Sequence, residues 1–504
     1  MTVSRSTLPS TVVIPTVGRP SLTALLDILA AAEGPRPAQV IVVDDSREPT
    51  AIPGLVDVLP PGGLLLHSRG RGPAAARNLG WRTARTPWVS FLDDDVLPDR
   101  DWLARLGDDL DAAAATPDTA GIQGRLLVSL PKHRRPTDWE RSTAGLSTST
   151  WITADMTYRR AALSTVGGFD ERFTRAYRED SDLALRIVRA GGAIVTGRRG
   201  VTHPIRPTGP WTSVHQQAGN ADDVLMRHIH GPRWRQLVDA PAGRLPRHVA
   251  VTAAAVAAMV AAALRRPGLA AGCAVAAGVG VAEFARARIA PGPRDPVEFV
   301  RMISTSLLIP PAAVWHRLAG LRRHRRAGPW RGLPDLVLFD RDGTLVHDVP
   351  YNGDPELARA MPGAQGALNR LRANGVRVGM VTNQSGVGSG RLTQAQVEAV
   401  NRRVAELVGP FDIVETCLHA ADAGCTCRKP APGMVHKACS ALDLAPARCI
   451  VVGDIGSDVA AAQAAGAIGV LIPTAATRTA EIEQALLIEP DLTSAANRIL
   501  AGAW

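Results

Sequence analysis

Lysine is nearly absent. The 504 residues hold three (Lys132, Lys429 and Lys437) against 54 arginines, an imbalance that reads as genome composition rather than chemistry. Cysteine is sparse too, and its six positions (Cys273, Cys417, Cys425, Cys427, Cys439, Cys449) are not spread as a disulfide framework would be, since five fall within 33 residues. The opening MTVSRSTLPSTVVIP lacks the apolar stretch of roughly 7–15 residues that marks a secretory signal. These absences point to a reducing, cytoplasmic setting. No charge-free run reaches the roughly 20 residues of a full bilayer crossing, and no internal repeat relates the two halves. What is present, 46% apolar and 21% charged residues, excludes a disordered or collagen-like chain. The length suggests about three domains.

The net charge of +10 first suggests nucleic acid or a membrane as partner. Its distribution separates the two. Residues 241–332 carry 14 arginines against Glu283, Asp295 and Glu298, a surplus of +11, so the rest of the chain sums to −1. Residues 249–264 are charge-free, Arg265-Arg266-Pro267 interrupts, and 269–282 are charge-free again. A third apolar stretch, 302–314, precedes Arg322-Arg323-His324-Arg325-Arg326. Charge beside apolar runs, with no recognition motif, argues against nucleic acid. Two readings stand: a shallow hairpin or interfacial anchor whose arginines face anionic headgroups on the cytoplasmic face of a membrane, or Ala-rich packing helices between domains. Arginines at both ends and at the central turn leave topology open. The expected division is 1–240, a connector at 241–332, and 333–504.

Residues 11–240 alternate apolar runs with helical stretches. Runs at 12–14, 40–43 and 89–92 read as buried parallel strands of an α/β sheet, each closed by a polar or proline-containing turn. Such a sheet carries its site at the carboxyl ends of the strands. Asp93-Asp94-Asp95 closes the third run; adjacent acids repel and are best tolerated where a divalent cation or solvent screens them. With Val12-Val13-Ile14-Pro15-Thr16, Asp44-Asp45, the segment from Gly72 to Asn78, and Arg178-Glu179-Asp180-Ser181-Asp182 in order, this region resembles the family 2 inverting glycosyltransferases with the GT-A fold. The resemblance implies that Pro15, Asp44, Asp45, Arg77 and Asn78 line a nucleotide-sugar pocket. It also implies that Asp93, Asp94 and Asp95 hold Mn²⁺ or Mg²⁺ on the diphosphate, and that Asp180 is the base that deprotonates the acceptor. An acid opening a helix gains from the helix dipole and stays ionised, as a base requires. Ala154-Asp155-Met156 and Gly167-Gly168-Phe169-Asp170 resemble the acceptor-side segment, and His203 is either a third metal ligand or a surface histidine.

From Leu336 the alternation resumes, with strand candidates at 336–339, 376–381, 413–416, 450–452 and 469–471. The first leads into Asp340-Arg341-Asp342-Gly343-Thr344-Leu345. Two aspartates one residue apart at a strand end let the first attack phosphorus while the second handles the leaving-group proton. Thr382-Asn383-Gln384-Ser385 supplies donors, Arg428-Lys429 cations, and Asp454 with Asp458 acids for a metal. In this order the groups resemble the haloacid-dehalogenase phosphohydrolases, a Rossmann-like fold. Cys417, His419, Cys425 and Cys427 offer a closed tetrahedral set suited to structural Zn²⁺. That loop followed by Arg-Lys-Pro resembles the D-glycero-D-manno-heptose 1,7-bisphosphate phosphatases and the related histidinol-phosphate phosphatases.

Carried onto this sequence, the resemblance makes Asp340 the nucleophile, Asp342 the acid/base, and Asp340, Asp342 and Asp454 the Mg²⁺ ligands. Thr382 and Lys429 stabilise the phosphoryl group, Arg428 recognises substrate, Asp348 and Tyr351 touch it, and Asn383, Gln384 and Ser385 line the pocket. Ile455 stands where the heptose enzymes commonly carry lysine, which removes one substrate-phosphate contact, and the five residues between His419 and Cys425 make a short loop more like the histidinol-phosphate branch. Against that, Thr382-Asn383-Gln384-Ser385-Gly386 reads like the heptose branch, and a fused glycosyltransferase fits sugar metabolism better. The expectation is a bifunctional carbohydrate enzyme acting on a nucleotide-sugar donor and a sugar phosphate. The alternative is a histidinol-phosphate-type phosphatase behind a sugar-binding but inactive module. Donor, acceptor and oligomeric state are not legible.

Overall fold

The computed structural model describes residues 7–48, 59–325, 327, 330 and 332–500. The chain divides into two compact units, Met1–Pro329 and Trp330–Trp504. The apolar, arginine-rich segment is therefore part of the first unit.

The first unit is built on an eight-stranded sheet. Its strands are β1 (Thr7–Thr16), β2 (Arg36–Asp44), β3 (Leu64–His67), β4 (Trp88–Leu92), β5 (Leu97–Pro98), β6 (Thr119–Leu127), β7 (Asp155–Arg159) and β8 (Ala193–Thr202), in the order β3-β2-β1-β4-β7-β6-β8-β5. The runs Val12–Ile14 and Val40–Val43 are buried because both sheet faces are covered. On one face Leu22, Leu25 and Leu26 of the helix Ser21–Ala31 pack with Leu103, Leu106 and Leu110 of Trp102–Ala114. On the other, Trp81 of Pro73–Thr83 packs with Leu183 and Ile187 of Glu179–Arg189. Gly80 lets Pro73–Thr83 lie directly on β1, where a Cβ would meet Val13 at 2.3 Å. The sheet is mixed rather than parallel throughout: β7 runs antiparallel to both β4 and β6.

Three long helices follow, Leu245–Ala263, Pro267–Ile289 and Pro296–Arg323. With 19, 23 and 28 residues they are long and apolar enough to cross a membrane, by length and composition. The charge-free runs looked too short because each helix continues past its run into arginine-bearing turns. Pro296–Arg323 also packs on the helix Gly219–His230, with Gly320 seated against the backbone of Ala221. Its opposite face leaves Val300, Leu307, Trp315 and Leu318 exposed.

The second unit holds a five-stranded, fully parallel sheet of β9 (Leu336–Phe339), β10 (Arg377–Asn383), β11 (Ile413–Cys417), β12 (Cys449–Gly453) and β13 (Ile468–Leu471), ordered β11-β10-β9-β12-β13. Asp340, Asn383, Cys417 and Asp454 all stand at the carboxyl edge of this sheet, the edge at which doubly wound folds bind ligands.

Candidate active sites

In the first unit, β1, β2 and β4 bring Pro15, Asp44–Asp45 and the acidic triplet to one edge. Successive residues leaving a strand point to different sides, and the triplet fans out accordingly. Asp93 accepts from Arg77 Nη2 at 2.7 Å, while Asp94 accepts from Thr16 Oγ1 at 2.6 Å and Arg19 Nη1 at 2.8 Å. Asp95 pairs with Arg206 and lies 3.5 Å from His203 Nε2. The three carboxylates thus do not converge on one point as the sequence suggested. Asp94, Asp95 and His203 share the Arg206 side, whereas Asp93 belongs with Arg77.

Arg77 is buried, and its Nη1 donates to Glu179 at 3.0 Å, linking the triplet to the helix that opens with Glu179-Asp180. Burial, reinforced by Asp180, pushes the Glu179 carboxyl up to about 8 despite that ion pair. Burial also raises Asp180, with Asp93 adding to it. Burial thus shifts the Asp180 carboxyl in the direction opposite to the helix dipole.

Two further expectations change. Asn78 donates to Phe169 O and Glu171 Oε1, both at 2.8 Å, and accepts from Trp81 Nε1 at 2.8 Å and Phe169 N at 2.9 Å. That uses its whole donor and acceptor capacity, so it fixes the Gly168–Phe169 backbone and has nothing left for a ligand. Asp155 is buried and accepts from Trp102 Nε1 and Arg199 Nε, each at 2.8 Å, so its carboxylate packs inside the domain. Asp44 accepts from Ser46 N at 2.9 Å, and Asp45 accepts from Ser68 Oγ at 2.6 Å and Gly72 N at 2.9 Å. These bonds tie the β2 exit to the loop before Pro73–Thr83.

In the second unit, Lys429 Nζ contacts Asp340, lies 2.6 Å from Asp458 Oδ1 and donates to Val381 O at 3.2 Å. Burial alone would lower its pKa, but Asp340 and Asp458 raise it above the ordinary lysine value. Asp340, Asp454 and Asp458 are all buried, with ligand oxygens within 4.8 Å of one another. Three carboxylates against one ammonium leave two negative charges, which a divalent cation would neutralise. Without that cation, burial holds Asp340 well above the carboxylate range and lifts Asp454 to about 6. Gly343, at φ +79°, is required here because a Cβ would meet Asp454 Oδ2 at 2.3 Å.

Asp342 stands apart from this triad. Its carboxylate accepts from Gln384 Nε2 at 2.9 Å and Arg341 Nη2 at 3.0 Å, so Asp458 takes the place the sequence assigned to the Asp342 side chain. Gln384 also donates to Thr382 Oγ1 at 2.8 Å. Asn383 clamps the Lys429 backbone in both directions at 3.1 Å, positioning the lysine rather than facing the pocket. Ser385 opens the short helix Ser385–Gly388. Tyr351 stands beside that helix, its ring 3.0 Å from where a Cβ on Gly386 would lie, with Arg391 stacked over it at 4.4 Å. Asp348 is exposed, its carboxyl raised by partial burial and by Asp342. Arg428 keeps Nη1 buried without a protein hydrogen-bond partner, a donor left for a ligand or a water.

Immediately before Arg428, the sulfurs of Cys417, Cys425 and Cys427 lie 3.4–3.7 Å apart, and His419 Nδ1 is 3.2 Å from Cys427 Sγ and 3.6 Å from Cys417 Sγ. Tetrahedral zinc with Zn–S near 2.3 Å places ligand sulfurs about 3.8 Å apart, so the four donors fit that ion.

Known proteins match these two sites separately. Residues 11–181 match the glycosyl transferase family 2 model, and 352–466 match the haloacid dehalogenase-like hydrolase model. Over 173 residues the chain is 35% identical to the D-glycero-beta-D-manno-heptose-1,7-bisphosphate 7-phosphatase of Pseudomonas putida, covering 33% of this chain and 99% of that protein. The same enzyme of Rhodopseudomonas palustris is 36% identical over 144 residues, 26% of this chain and 80% of that one. The crystal structure of D,D-heptose 1.7-bisphosphate phosphatase from B. bronchiseptica complexed with magnesium and phosphate is 30% identical, covering 33% of this chain and 98% of that one, with a TM-score of 0.30. The chain belongs to the haloacid dehalogenase-like hydrolases. It joins such a phosphatase to a family 2 glycosyl transferase domain, and is a bifunctional carbohydrate enzyme.

Sequence reasoning passed over several residues that build these hydrolase and transferase sites. Arg341 sits inside the Asp340–Asp342 motif, yet only the structure shows it buried between Asp342 and Asn401, to which Nη1 donates at 2.9 Å. Thr474 donates to Asp454 at 3.2 Å from a loop with no motif. Arg206 gives no local signal either, being one of many arginines.

Proposed function

We propose that the C-terminal unit removes the 7-phosphate of D-glycero-D-manno-heptose 1,7-bisphosphate, and that the N-terminal unit transfers a sugar from a nucleotide-sugar donor. The buried Asp340–Lys429–Asp458–Asp454 constellation carries the first part. Asp340 attacks phosphorus, the ester P–O bond breaks, and a protonated Asp342 gives its proton to the departing sugar oxygen, which leaves as a hydroxyl. Water then attacks the aspartyl phosphate, Asp342 takes its proton, and inorganic phosphate leaves. Lys429 and Thr382 hold the phosphoryl oxygens, and Gln384 and Arg341 keep the Asp342 carboxylate in place. Arg428, Tyr351, Asp348 and Ser385 stand where they would meet the sugar. Mg²⁺ held by Asp340, Asp454 and Asp458 would supply Lewis-acid neutralisation of the phosphate charge. Zn²⁺ held by Cys417, His419, Cys425 and Cys427 would be structural, fixing the segment that carries Arg428 and Lys429.

In the transferase, Asp180 takes the acceptor proton, and the acceptor oxygen displaces the nucleoside diphosphate from the anomeric carbon. Asp94, Asp95 and His203 would hold Mn²⁺ or Mg²⁺, and Asp44 and Asp45 shape the nucleotide side. The three apolar helices attach this unit to the cytoplasmic face of a membrane.

A panel of phosphate esters with Mg²⁺, using Asp340→Asn as the inactive control, tests the phosphatase. Phosphate release from heptose bisphosphate supports the reading; release from histidinol phosphate alone overturns it. Failure of UDP-, GDP- and ADP-sugars to bind in the presence of Mn²⁺ would end the transferase claim.

A further inference from the structure

The helices Leu245–Ala263, Pro267–Ile289 and Pro296–Arg323 enclose an open groove of about 880 Å³. Its walls are almost wholly apolar, from Ile289 and Phe299 at one end to Met259 at the other. The single charged side chain in the lining is Arg286. Its neighbours are spoken for. Arg247 lies 3.0 Å from Glu283, and Arg288 is buried, 2.7 Å from Asp138. Among the described residues the exposed Arg286 guanidinium has no acid partner.

The cationic end of the groove is also the end tied to the catalytic domain. Arg288 donates to Thr305 at 2.8 Å and Ser213 at 3.2 Å, and Arg141 Nη2 donates to Arg288 O at 2.8 Å. In the same helix as Arg141, Trp139 Nε1 donates at 2.9 Å to the carbonyl of Arg206, whose guanidinium sits on Asp95. An apolar trough with one unpaired cation at its protein-facing end complements a hydrocarbon chain of an amphiphile with an anionic head.

We propose that this groove binds a hydrocarbon chain of an anionic membrane phospholipid, with the lipid phosphate on Arg286. The inference rests on the membrane-attachment reading above and names the lipid class that this site selects. Bound there, the lipid fills the gap between the three helices and holds them as one body under the transferase.

Gly278 provides the test, because it lines the groove and a Cβ added to it meets nothing within 4 Å. Gly278→Trp therefore places a bulky side chain in the trough from a position whose Cβ has room, and replacing a mid-helix glycine favours the helix. The full chain, purified in detergent, is offered phosphatidylglycerol or phosphatidylcholine, and retained lipid is counted by native mass spectrometry. Flotation with vesicles of phosphatidylcholine alone, or mixed equally with phosphatidylglycerol, is measured in parallel. The wild type should retain phosphatidylglycerol, Gly278→Trp should lose it, and Arg286→Gln should lose about tenfold in preference for the anionic lipid while still floating. Equal retention by both variants and the wild type overturns the groove proposal and leaves membrane attachment standing. A wild type that floats with neither vesicle overturns both. A lipid-free dimer that Gly278→Trp splits would assign the groove to a second copy and also overturn it.

Discussion

Lys429 is where the phosphatase chemistry and the stability of its site meet. Its ammonium is buried between Asp340 and Asp458, so Lys429→Met leaves two carboxylates facing each other in a dry site. Phosphate release should fall by about 10²–10³-fold, the size of losing one preorganised charge partner, and steady-state kinetics checks this. Asn78 makes the opposite case, a motif residue whose work is structural. Asn78→Ala strands Phe169 O, Phe169 N and Trp81 Nε1 and should cost about 3 kcal/mol, read by denaturant unfolding. Glu179 gives a pH signature. Its folded pKa of about 8 lies above the ordinary 4.5, so between these values the folded state binds more protons than the unfolded one. Stability must then fall as pH rises from about 4.5 to 8. Glu179→Gln should flatten that slope, as thermal unfolding at pH 5, 6.5 and 8 will record.

Among the elements, those that carry chemistry were the ones legible beforehand. Strands β1, β2, β4, β9, β10 and β12 carry buried apolar runs that each end in a motif, whereas β11 leaves Val414 exposed and is marked by the Cys417 it leads into, and β13 has only its apolar run. Strands β6, β7 and β8 were missed for a physical reason. β6 and β8 interleave glycine and arginine, β7 is short with Asp155 and Arg159 at its ends, and Arg199 reads as a solvent residue although it is fully buried between Asp109 and Asp155 at 2.9 and 2.8 Å. Such a pair is invisible until the fold brings residues 44 and 90 positions apart together. The same limit explains why Asp155 looked functional. The Cys417–Cys427 loop was readable because its four donors are close in sequence. Its role is testable at this scale: Cys427→Ser should release zinc, lower the unfolding temperature of the C-terminal unit and reduce turnover, because Arg428 and Lys429 follow the loop directly. Metal analysis beside calorimetry decides it; unchanged zinc content would remove the ion from the account.

At the scale of the whole molecule, the two catalytic units have separate hydrophobic cores. One pair of clusters joins Leu333–Leu500 residues only, and the clusters of the transferase unit draw only on residues 8–327. No catalytic side chain described above takes a partner from the other unit. Substitutions confined to one site should therefore leave the other intact, since sites in separate cores without shared partners act independently. Asp340→Asn should abolish phosphate release while nucleotide-sugar turnover stays at the wild-type rate. Asp180→Asn should do the reverse. Both activities are measured on the same preparation of full chain, so misfolding would show as loss of both. If Asp340→Asn instead slowed glycosyl transfer with saturating donor and acceptor supplied, the two sites would be coupled through the chain, and the division into independent catalytic units would fall.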